Sequence, residues 1–170
     1  VLHYIDNAKL KVENDLVLMD LGAEYHGYTA DVTRTIPANG KFSPEQKIIY
    51  DLVYEAQEAG IATVIIGNNF QAPDQAGRKI ITEGLLKLGI IKSLDESTKF
   101  FPHGTSHHIG LDVHDPGKYL NFEENMVLHV EPGIYIPGWG GVRIEEMVLE
   151  SSGGCSGLST VPKEFKDIVI

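Results

Sequence analysis

Four acidic residues occupy matching positions in two apolar stretches of the sequence. Each stretch ends in a carboxylate and is followed by a predicted returning strand that holds a second carboxylate, 11 residues later in one case and 14 in the other. In chain order these residues are Asp20, Asp31, Glu131 and Glu145. A buried carboxylate is costly unless it is paired or bound to a metal, and Arg34 and Arg143 are the nearby basic residues. Two arginines are too few for four carboxylates, so divalent cations are the better candidate partners. The matching arrangement of the two stretches also indicates a pseudo-two-fold repeat.

Histidines are concentrated between the two acid-bearing stretches. Four of the seven lie within twelve residues, at His103, His107, His108 and His114. Carboxylates with one imidazole suit manganese, cobalt, zinc or iron, and paired metals are typical of aminopeptidases and related hydrolases. The spacing of His103 and His107 matches a zincin motif, but the motif's glutamate is missing, and Gly104 and Gly110 disfavour a helix there. His3, before the first apolar stretch, is a fifth candidate.

The sequence around these residues alternates between strand patterns and helix patterns. Apolar or alternating runs rich in Val, Ile and Thr predict strands, and apolar residues at helical spacing predict helices. The predicted strands cover 16–19, 25–36, 126–131 and 141–149, and the predicted helices cover 44–60 and 74–88. This pattern predicts one domain of the α/β (α+β) class over residues 1–170.

The first helix has the clearest local signals. Ser43 is a suitable N-cap, Pro44 fits the first turn, and Gln46 completes the spacing of a capping box. Apolar spacing predicts that Ile48 of the first helix and Leu88 of the second point into the core.

Composition excludes several classes of partner. The net charge of −10 and the absence of a basic cluster argue against nucleic acid and anionic membranes. No apolar run approaches the roughly 20 residues of a membrane span. The single cysteine, Cys155, cannot form an internal disulfide, so a cytoplasmic protein is expected. The chain begins at Val1 inside an apolar segment, from which we expect an upstream part to be missing.

The residues quoted above sit in motifs that identify a family. The sequence resembles the pita-bread metallopeptidases, and within them the proline-specific branch of aminopeptidase P and prolidase. The matching motifs are Leu2-His3-Tyr4, Asp20-Leu-Gly-Ala-Glu-Tyr, Tyr28-Thr-Ala-Asp31-Val-Thr-Arg-Thr, His103-Gly-Thr-Ser-His107 through His114-Asp, Val130-Glu131-Pro-Gly-Ile-Tyr and Gly141-Val-Arg143-Ile-Glu145. The resemblance implies a pita-bread fold and a C-terminal catalytic metallopeptidase domain over residues 1–170, truncated at its N-terminal side.

The resemblance also implies roles for individual residues. Two divalent metal ions, manganese first and cobalt or zinc as alternatives, are expected on Asp20, Asp31, His107, Glu131 and Glu145. Asp31 and Glu145 look like the bridging ligands. Glu131 resembles the residue that carries a proton toward the leaving nitrogen. The remaining residues expected around the substrate are His3, His103, His114 and Arg143.

The implied activity is removal of an N-terminal residue that precedes proline, by an enzyme whose substrate is a peptide with proline in second position. An Xaa-Pro dipeptidase (prolidase) is the alternative enzyme, because the short spacing between Glu131 and Glu145 is similar to compact prolidases. Methionine aminopeptidase shares the ligand set but fits the contexts of His114 and Arg143 less well. A catalytically inactive pita-bread module that binds peptides or proteins is the alternative of another class. Relatives in this branch suggest a homo-oligomer.

Overall fold

The computed structural model describes Val12 and residues 14–164 of the chain. This part of the chain contains two α-helices, nine strands and one 3₁₀ helix. The helices are Pro44–Ile61 (α1) and Ala72–Lys87 (α2), and the 3₁₀ helix is Leu94–Lys99. The strands are Leu16–Leu21 (β1), Glu24–Tyr25 (β2), Tyr28–Thr29 (β3), Val32–Pro37 (β4), Val127–Val130 (β5), Gly133–Ile136 (β6), Gly140–Arg143 (β7), Glu146–Leu149 (β8) and Ser156–Gly157 (β9).

Helix α1 begins as the sequence predicts. The Ser43 hydroxyl accepts a hydrogen bond from the Gln46 backbone N–H, and the Gln46 side chain accepts one from the Ser43 N–H, which together form the capping box. Helix α2 begins two residues before its predicted start at 74. The inward orientation predicted for Ile48 and Leu88 is wrong, because these side chains are 48% and 41% exposed.

The strands form two hairpin units with the same pairing pattern. In the first unit β1 pairs with β4 and the short strands β2 and β3 pair between them. In the second unit β5 pairs with β8 while β6 pairs with β7. All four pairings are antiparallel. The pairing pattern thus repeats in the two units, and each unit carries two of the four acids.

The returning strands predicted at 25–36 and 141–149 are not continuous. Both are interrupted at the second acid, and the first is also broken by a turn between β2 and β3, where His26 and Gly27 have positive φ. Asp31 lies between β3 and β4, and Glu145 lies between β7 and β8. The Glu145 backbone N–H leaves its own ladder and donates to the Thr33 carbonyl of the other unit, at 3.1 Å. The break at Glu145 thus coincides with a backbone hydrogen bond that joins the two units.

The hydrophobic core lies behind the hairpin units. One cluster packs α1 and α2 against β6 and β7 through residues such as Val53, Leu85 and Ile134. A second cluster, which includes Leu128 and Val148, lies against β5 and β8. Neither described helix combines the length and apolar character that crossing a membrane requires. The two helices thus pack against the strands on one side, and the strand ends that carry the acids are not covered by these helices.

A buried ion pair between β4 and β8 connects the two hairpin units, and its arginine also binds the C-terminal segment. The Arg34 guanidinium donates to the Glu146 carboxylate, and both residues are only 4% exposed. Arg34 also donates to the Pro162 carbonyl at 2.8 Å and to the Glu145 carbonyl at 2.7 Å. Arg34 thereby connects β4, the Glu145 turn and the C-terminal segment.

We expect Gly22→Ala to destabilise the first hairpin unit. A Cβ atom at position 22 would lie 1.7 Å from the Ala30 carbonyl oxygen, so the backbone next to Asp31 would have to move. Overpacking of this kind costs about 1–3 kcal/mol, measurable as a lower denaturant midpoint. Gly157→Ala is the matched control because a Cβ there meets nothing within 4 Å. Equal midpoints for the two variants would contradict the expectation.

Candidate metal centre

The two hairpin units enclose a cavity of about 270 Å³. It is lined by all eight described residues that the sequence analysis selected, namely Asp20, Asp31, His103, His107, His114, Glu131, Arg143 and Glu145. His3, the ninth selected residue, lies outside the described residues. Residues that are 125 positions apart in the sequence therefore face one space.

Two carboxylates and two histidines converge at this cavity. Ligand atoms of Asp31, His107, His129 and Glu145 all lie within 4.8 Å of one another. The Glu131 Oε1 atom is 3.6 Å from His107 Nε2, and the Asp31 carboxyl group adjoins that of Asp20, which helps to raise the pKa of Asp31. Asp20, Asp31 and Glu131 thus adjoin the same centre from both hairpin units.

The His107 ring is held with one nitrogen free for a ligand. Its Nδ1–H donates to the His108 carbonyl at 3.0 Å, which leaves the Nε2 lone pair directed toward Glu131 and Glu145. Burial, followed by the nearby His129 and His114 rings, lowers the pKa of His107 to about 4. A neutral imidazole with a free Nε2 is the form that binds metals.

Two of the carboxyl groups hold their protons unusually tightly without a bound cation. Burial, the Glu145 charge and the hydrogen bond with Asp20 raise the pKa of Asp31 to about 8, although Arg143 opposes the shift. Burial and the Glu145 charge raise the pKa of Glu131 to about 8. Arg143 alone cannot compensate several carboxylates, so the cavity has a deficit of positive charge that divalent cations would remove.

We expect the metal-free protein to lose stability as the pH rises from about 6.5 to about 8. Asp31 and Glu131 have ordinary pKa values of 3.8 and 4.5, and both are raised to about 8 in the fold. In this window the folded state therefore binds more protons than the unfolded state, so the free energy of unfolding falls with pH, by about 1–2 kcal/mol. His107 acts in the opposite direction only below about 6.5, because its pKa is lowered. Thermal unfolding at several pH values measures the effect.

Added Mn²⁺ should reverse this pH dependence, since metal ligands must be deprotonated. The increase in the thermal midpoint caused by Mn²⁺ should be larger at pH 8 than at pH 6.5. The matched control combines Asp31→Asn with Glu131→Gln and should flatten the profile between pH 6.5 and 8. A metal-free midpoint that rises through this window would contradict the assignment of protons to these carboxyl groups.

A chain of three hydrogen-bonded side chains, Arg143, Tyr135 and His103, lies beside the acids. Arg143 Nη1 donates to the Tyr135 hydroxyl at 3.0 Å, and that hydroxyl donates to His103 Nε2 at 2.8 Å. The other His103 nitrogen donates to the Gly104 carbonyl at 2.7 Å. Arg143 also binds the Asp20 carboxylate. These contacts fix the orientation of His103 and Arg143 at the edge of the cavity.

Helix α2 holds the loop that carries the histidines. Asp74 accepts hydrogen bonds from Arg78 Nε and the Thr105 hydroxyl, at 2.8 and 2.9 Å. Arg78 donates in turn to the backbone carbonyls of Phe101 and His103. No helix occurs between residues 101 and 125, which agrees with the rejection of a zincin motif. The loop is therefore positioned by side chains of α2.

Three residues of this site were missed by the sequence analysis. His129 and the Thr33 hydroxyl each donate to one oxygen of Glu145, at 2.7 and 2.6 Å, and Tyr135 connects Arg143 to His103. A signal for His129 exists in the sequence, because it is a polar residue in an apolar strand, two positions before Glu131 and so on the same face. Thr33 and Tyr135 lie within the quoted motifs, but nothing in the sequence shows which site residues they contact.

Comparisons with known proteins agree with this geometry. Residues 1–151 match the profile described as Metallopeptidase family M24. The chain is similar to the Xaa-Pro aminopeptidase of Haemophilus influenzae, with 41% identity over an alignment 191 positions long that covers 99% of this chain and 44% of that protein. Its structure is similar to that of the aminopeptidase PepP of Pseudomonas aeruginosa, with a TM-score of 0.93 and 39% identity, over 98% of this chain and 43% of that one.

A zinc-substituted Escherichia coli aminopeptidase P in complex with product is also similar. The TM-score is 0.92 at 39% identity, over 99% of this chain and 43% of that one. The chain thus spans less than half the length of these relatives. The similarities confirm the predicted pita-bread fold.

Proposed function

The chain belongs to metallopeptidase family M24, and on that premise we propose that it forms the two-metal catalytic centre of an Xaa-Pro aminopeptidase. Such an enzyme hydrolyses the bond between an N-terminal residue and a following proline. The proposal rests on one observation, the convergence of ligand atoms from Asp31, His107 and Glu145 within 4.8 Å in a cavity that Asp20 and Glu131 also line.

The donor set fits divalent cations. Four carboxylates and one imidazole are hard ligands of the kind that bind manganese, cobalt or zinc. We propose Asp20, Asp31, His107, Glu131 and Glu145 as the ligands of two ions, with manganese the first expectation. The E. coli relative accepts zinc, as its zinc-substituted form indicates. Bound ions would supply Lewis acidity and lower the pKa of a nucleophilic water.

Glu131 is the proposed proton carrier. Its carboxylate lies next to His107 and is 3.8 Å from Arg143 Nε, within the cavity. A carboxylate within reach of both the attacking water and the leaving nitrogen can accept and release a proton during turnover. In this role Glu131 accepts a proton from the attacking water and delivers it to the imino nitrogen of the leaving proline.

The remaining side chains would bind and orient the peptide. The exposed carboxylate of Asp20 and its neighbour Asp31 offer negative charge to the protonated N-terminus of a substrate, which would limit cleavage to the first residue. His103, His114 and Arg143 offer hydrogen-bonding groups around the scissile carbonyl. Tyr135 maintains the orientation of His103 and Arg143, because its hydroxyl is hydrogen-bonded to both.

A second groove supports a peptide longer than a dipeptide. A space of about 560 Å³ begins at Tyr135 and is lined by apolar residues that include Pro102, Ile136 and Trp139. Because Tyr135 adjoins the metal cavity through its hydroxyl, this groove offers room for residues that follow the proline. The sequence alone left the choice between aminopeptidase and dipeptidase open, and the groove favours the aminopeptidase.

The test is cleavage of short peptides by metal-loaded protein. After chelation and reloading with Mn²⁺, Co²⁺ or Zn²⁺, we expect release of the first residue from Xaa-Pro-Ala and little release from Xaa-Ala-Ala. Cleavage of Xaa-Pro alone would make the protein a dipeptidase, and cleavage of Met-Ala-Ala would indicate a methionine aminopeptidase. Failure to bind metal or cleave any peptide would leave a binding module as the function.

We also propose a cytoplasmic location and a homo-oligomer. The location rests on the single cysteine, Cys155, which cannot form an internal disulfide. The oligomer rests on the family resemblance alone.

A further inference from the structure

His129 lies directly behind the candidate metal ligands. It is the third residue of β5, is fully buried, and pairs with Met147 of β8. Its Nδ1 is 2.7 Å from Glu145 Oε1, while the Thr33 hydroxyl donates to Glu145 Oε2 at 2.6 Å. Both oxygens of Glu145 are therefore held by donors from different hairpin units.

The same histidine also contacts the imidazole ligand. The rings of His107 and His129 stack with centroids 4.4 Å apart and planes 7° apart. The His129 backbone N–H donates to the His107 carbonyl at 3.0 Å. His129 thus touches a carboxylate from one side of the site and an imidazole from the histidine loop.

We propose that His129 is a positioning residue that fixes Glu145 and His107 in the geometry needed to bind divalent cations. This inference rests on the proposed function, in which Glu145 and His107 are ligands. Hydrogen bonds to ligating groups orient them and raise metal affinity, and removing such a bond typically costs 10–100-fold in affinity.

The hydrogen-bonding state of the His129 ring supports a positioning role. A carboxylate can only accept, so the ring donates through Nδ1–H. Its Nε2 is buried and has no hydrogen-bond partner among the described residues, so a proton on that nitrogen would be an unpaired buried donor. The ring is therefore expected as the Nδ1–H tautomer, which gives its one hydrogen to Glu145.

A pair of substitutions separates the hydrogen bond from simple packing. His129→Leu keeps an apolar side chain of moderate size but removes the donor, whereas His129→Asn places an amide N–H near the position of Nδ1. We expect the leucine variant to bind Mn²⁺ about 10–100-fold more weakly and the asparagine variant to recover most of that loss. Isothermal titration of chelator-treated protein with Mn²⁺ measures both affinity and stoichiometry without any peptide.

Thermal unfolding of the metal-free proteins shows whether each variant folds as stably as wild type. If the leucine variant melts near wild type but binds Mn²⁺ weakly, the positioning role is supported. If it folds and binds Mn²⁺ as tightly as wild type, or if asparagine restores nothing, the inference is overturned. X-ray absorption at the bound metal should detect one imidazole ligand. If it detects a second imidazole that is lost in His129→Leu, His129 is itself a ligand and the positioning role is overturned.

The titration also separates this inference from the proposed function. Wild-type protein that binds no Mn²⁺ would remove the metal centre itself. Wild-type protein that binds two ions, with unchanged affinity in His129→Leu, would remove only the role of His129.

Discussion

Replacing Glu131 with glutamine is expected to lower the turnover of an Xaa-Pro-Ala peptide by about 10²–10⁴-fold, the usual contribution of a general acid–base group. Glutamine keeps the size of the side chain but cannot carry a proton. The loss should appear in kcat, since Asp20, Arg143 and the groove beyond Tyr135 remain to bind the peptide. Initial rates of amino-acid release over a range of peptide concentrations measure it.

The metal content of the same variant must be measured beside its activity. Since Glu131 is also a proposed ligand, weaker binding of one ion is expected, and saturating Mn²⁺ should not restore turnover. Glu124→Gln is the matched control, because Glu124 is an exposed glutamate seven residues away in the same part of the chain. Wild-type turnover in Glu131→Gln would refute the role of proton carrier.

Replacing Glu146 with leucine is expected to lower the free energy of unfolding by about 3–5 kcal/mol, the usual effect of removing one partner of a buried ion pair. The Arg34 guanidinium would stay buried without its carboxylate, since it is also bound to the Pro162 and Glu145 carbonyls. Urea unfolding measures this loss as a lower midpoint. The slope of the free energy of unfolding against urea concentration should stay the same in wild type and variant.

Two further variants identify the origin of that loss. Combining Arg34→Met with Glu146→Leu removes both charges, and we expect the double variant to be more stable than Glu146→Leu alone. Asp51→Asn removes one partner of an ion pair with Lys47 whose side chains are 43% and 47% exposed, and it should cost less than about 1 kcal/mol. Similar costs for Asp51→Asn and Glu146→Leu would contradict the argument from burial.

The elements that the sequence predicts best are those defined by local chemistry. Helix α1 was predicted correctly at its start because Ser43, Pro44 and Gln46 form the cap among themselves. The exposure of Ile48 and Leu88 could not be predicted, because apolar spacing marks a face without saying what covers it. Both residues line an apolar groove with Ile136 and Trp139, and these come from a distant part of the chain.

The breaks in the returning strands were also beyond a sequence-based prediction. The alternating pattern around Asp31 and Glu145 is that of a continuous strand. Only the pairing between the two hairpin units shows that the Glu145 N–H bonds to Thr33. Non-local hydrogen bonds of this kind leave no periodic pattern in the sequence.

The candidate site was predicted largely from the order of its motifs, which placed eight described residues around one cavity. What the motifs could not reveal was the support behind them. The contact between His129 and Glu145 can be recognised only when the register of β5 against β8 and the position of the loop that carries His107 are known. A residue that contacts the candidate ligands from behind, as His129 does, is therefore harder to find from sequence than the candidate ligands themselves.

The hydrogen bond between Thr33 and Glu145 joins residues 112 positions apart, and this separation has a consequence for folding. Closing so large a loop is a slow step that local structure cannot assist. A cation bound at this junction would stabilise the folded chain, because an unfolded or partly folded chain has no comparable binding site. Uptake of metal should therefore come last in the folding of the protein, and the rate of Mn²⁺ capture during refolding would report when the two halves meet.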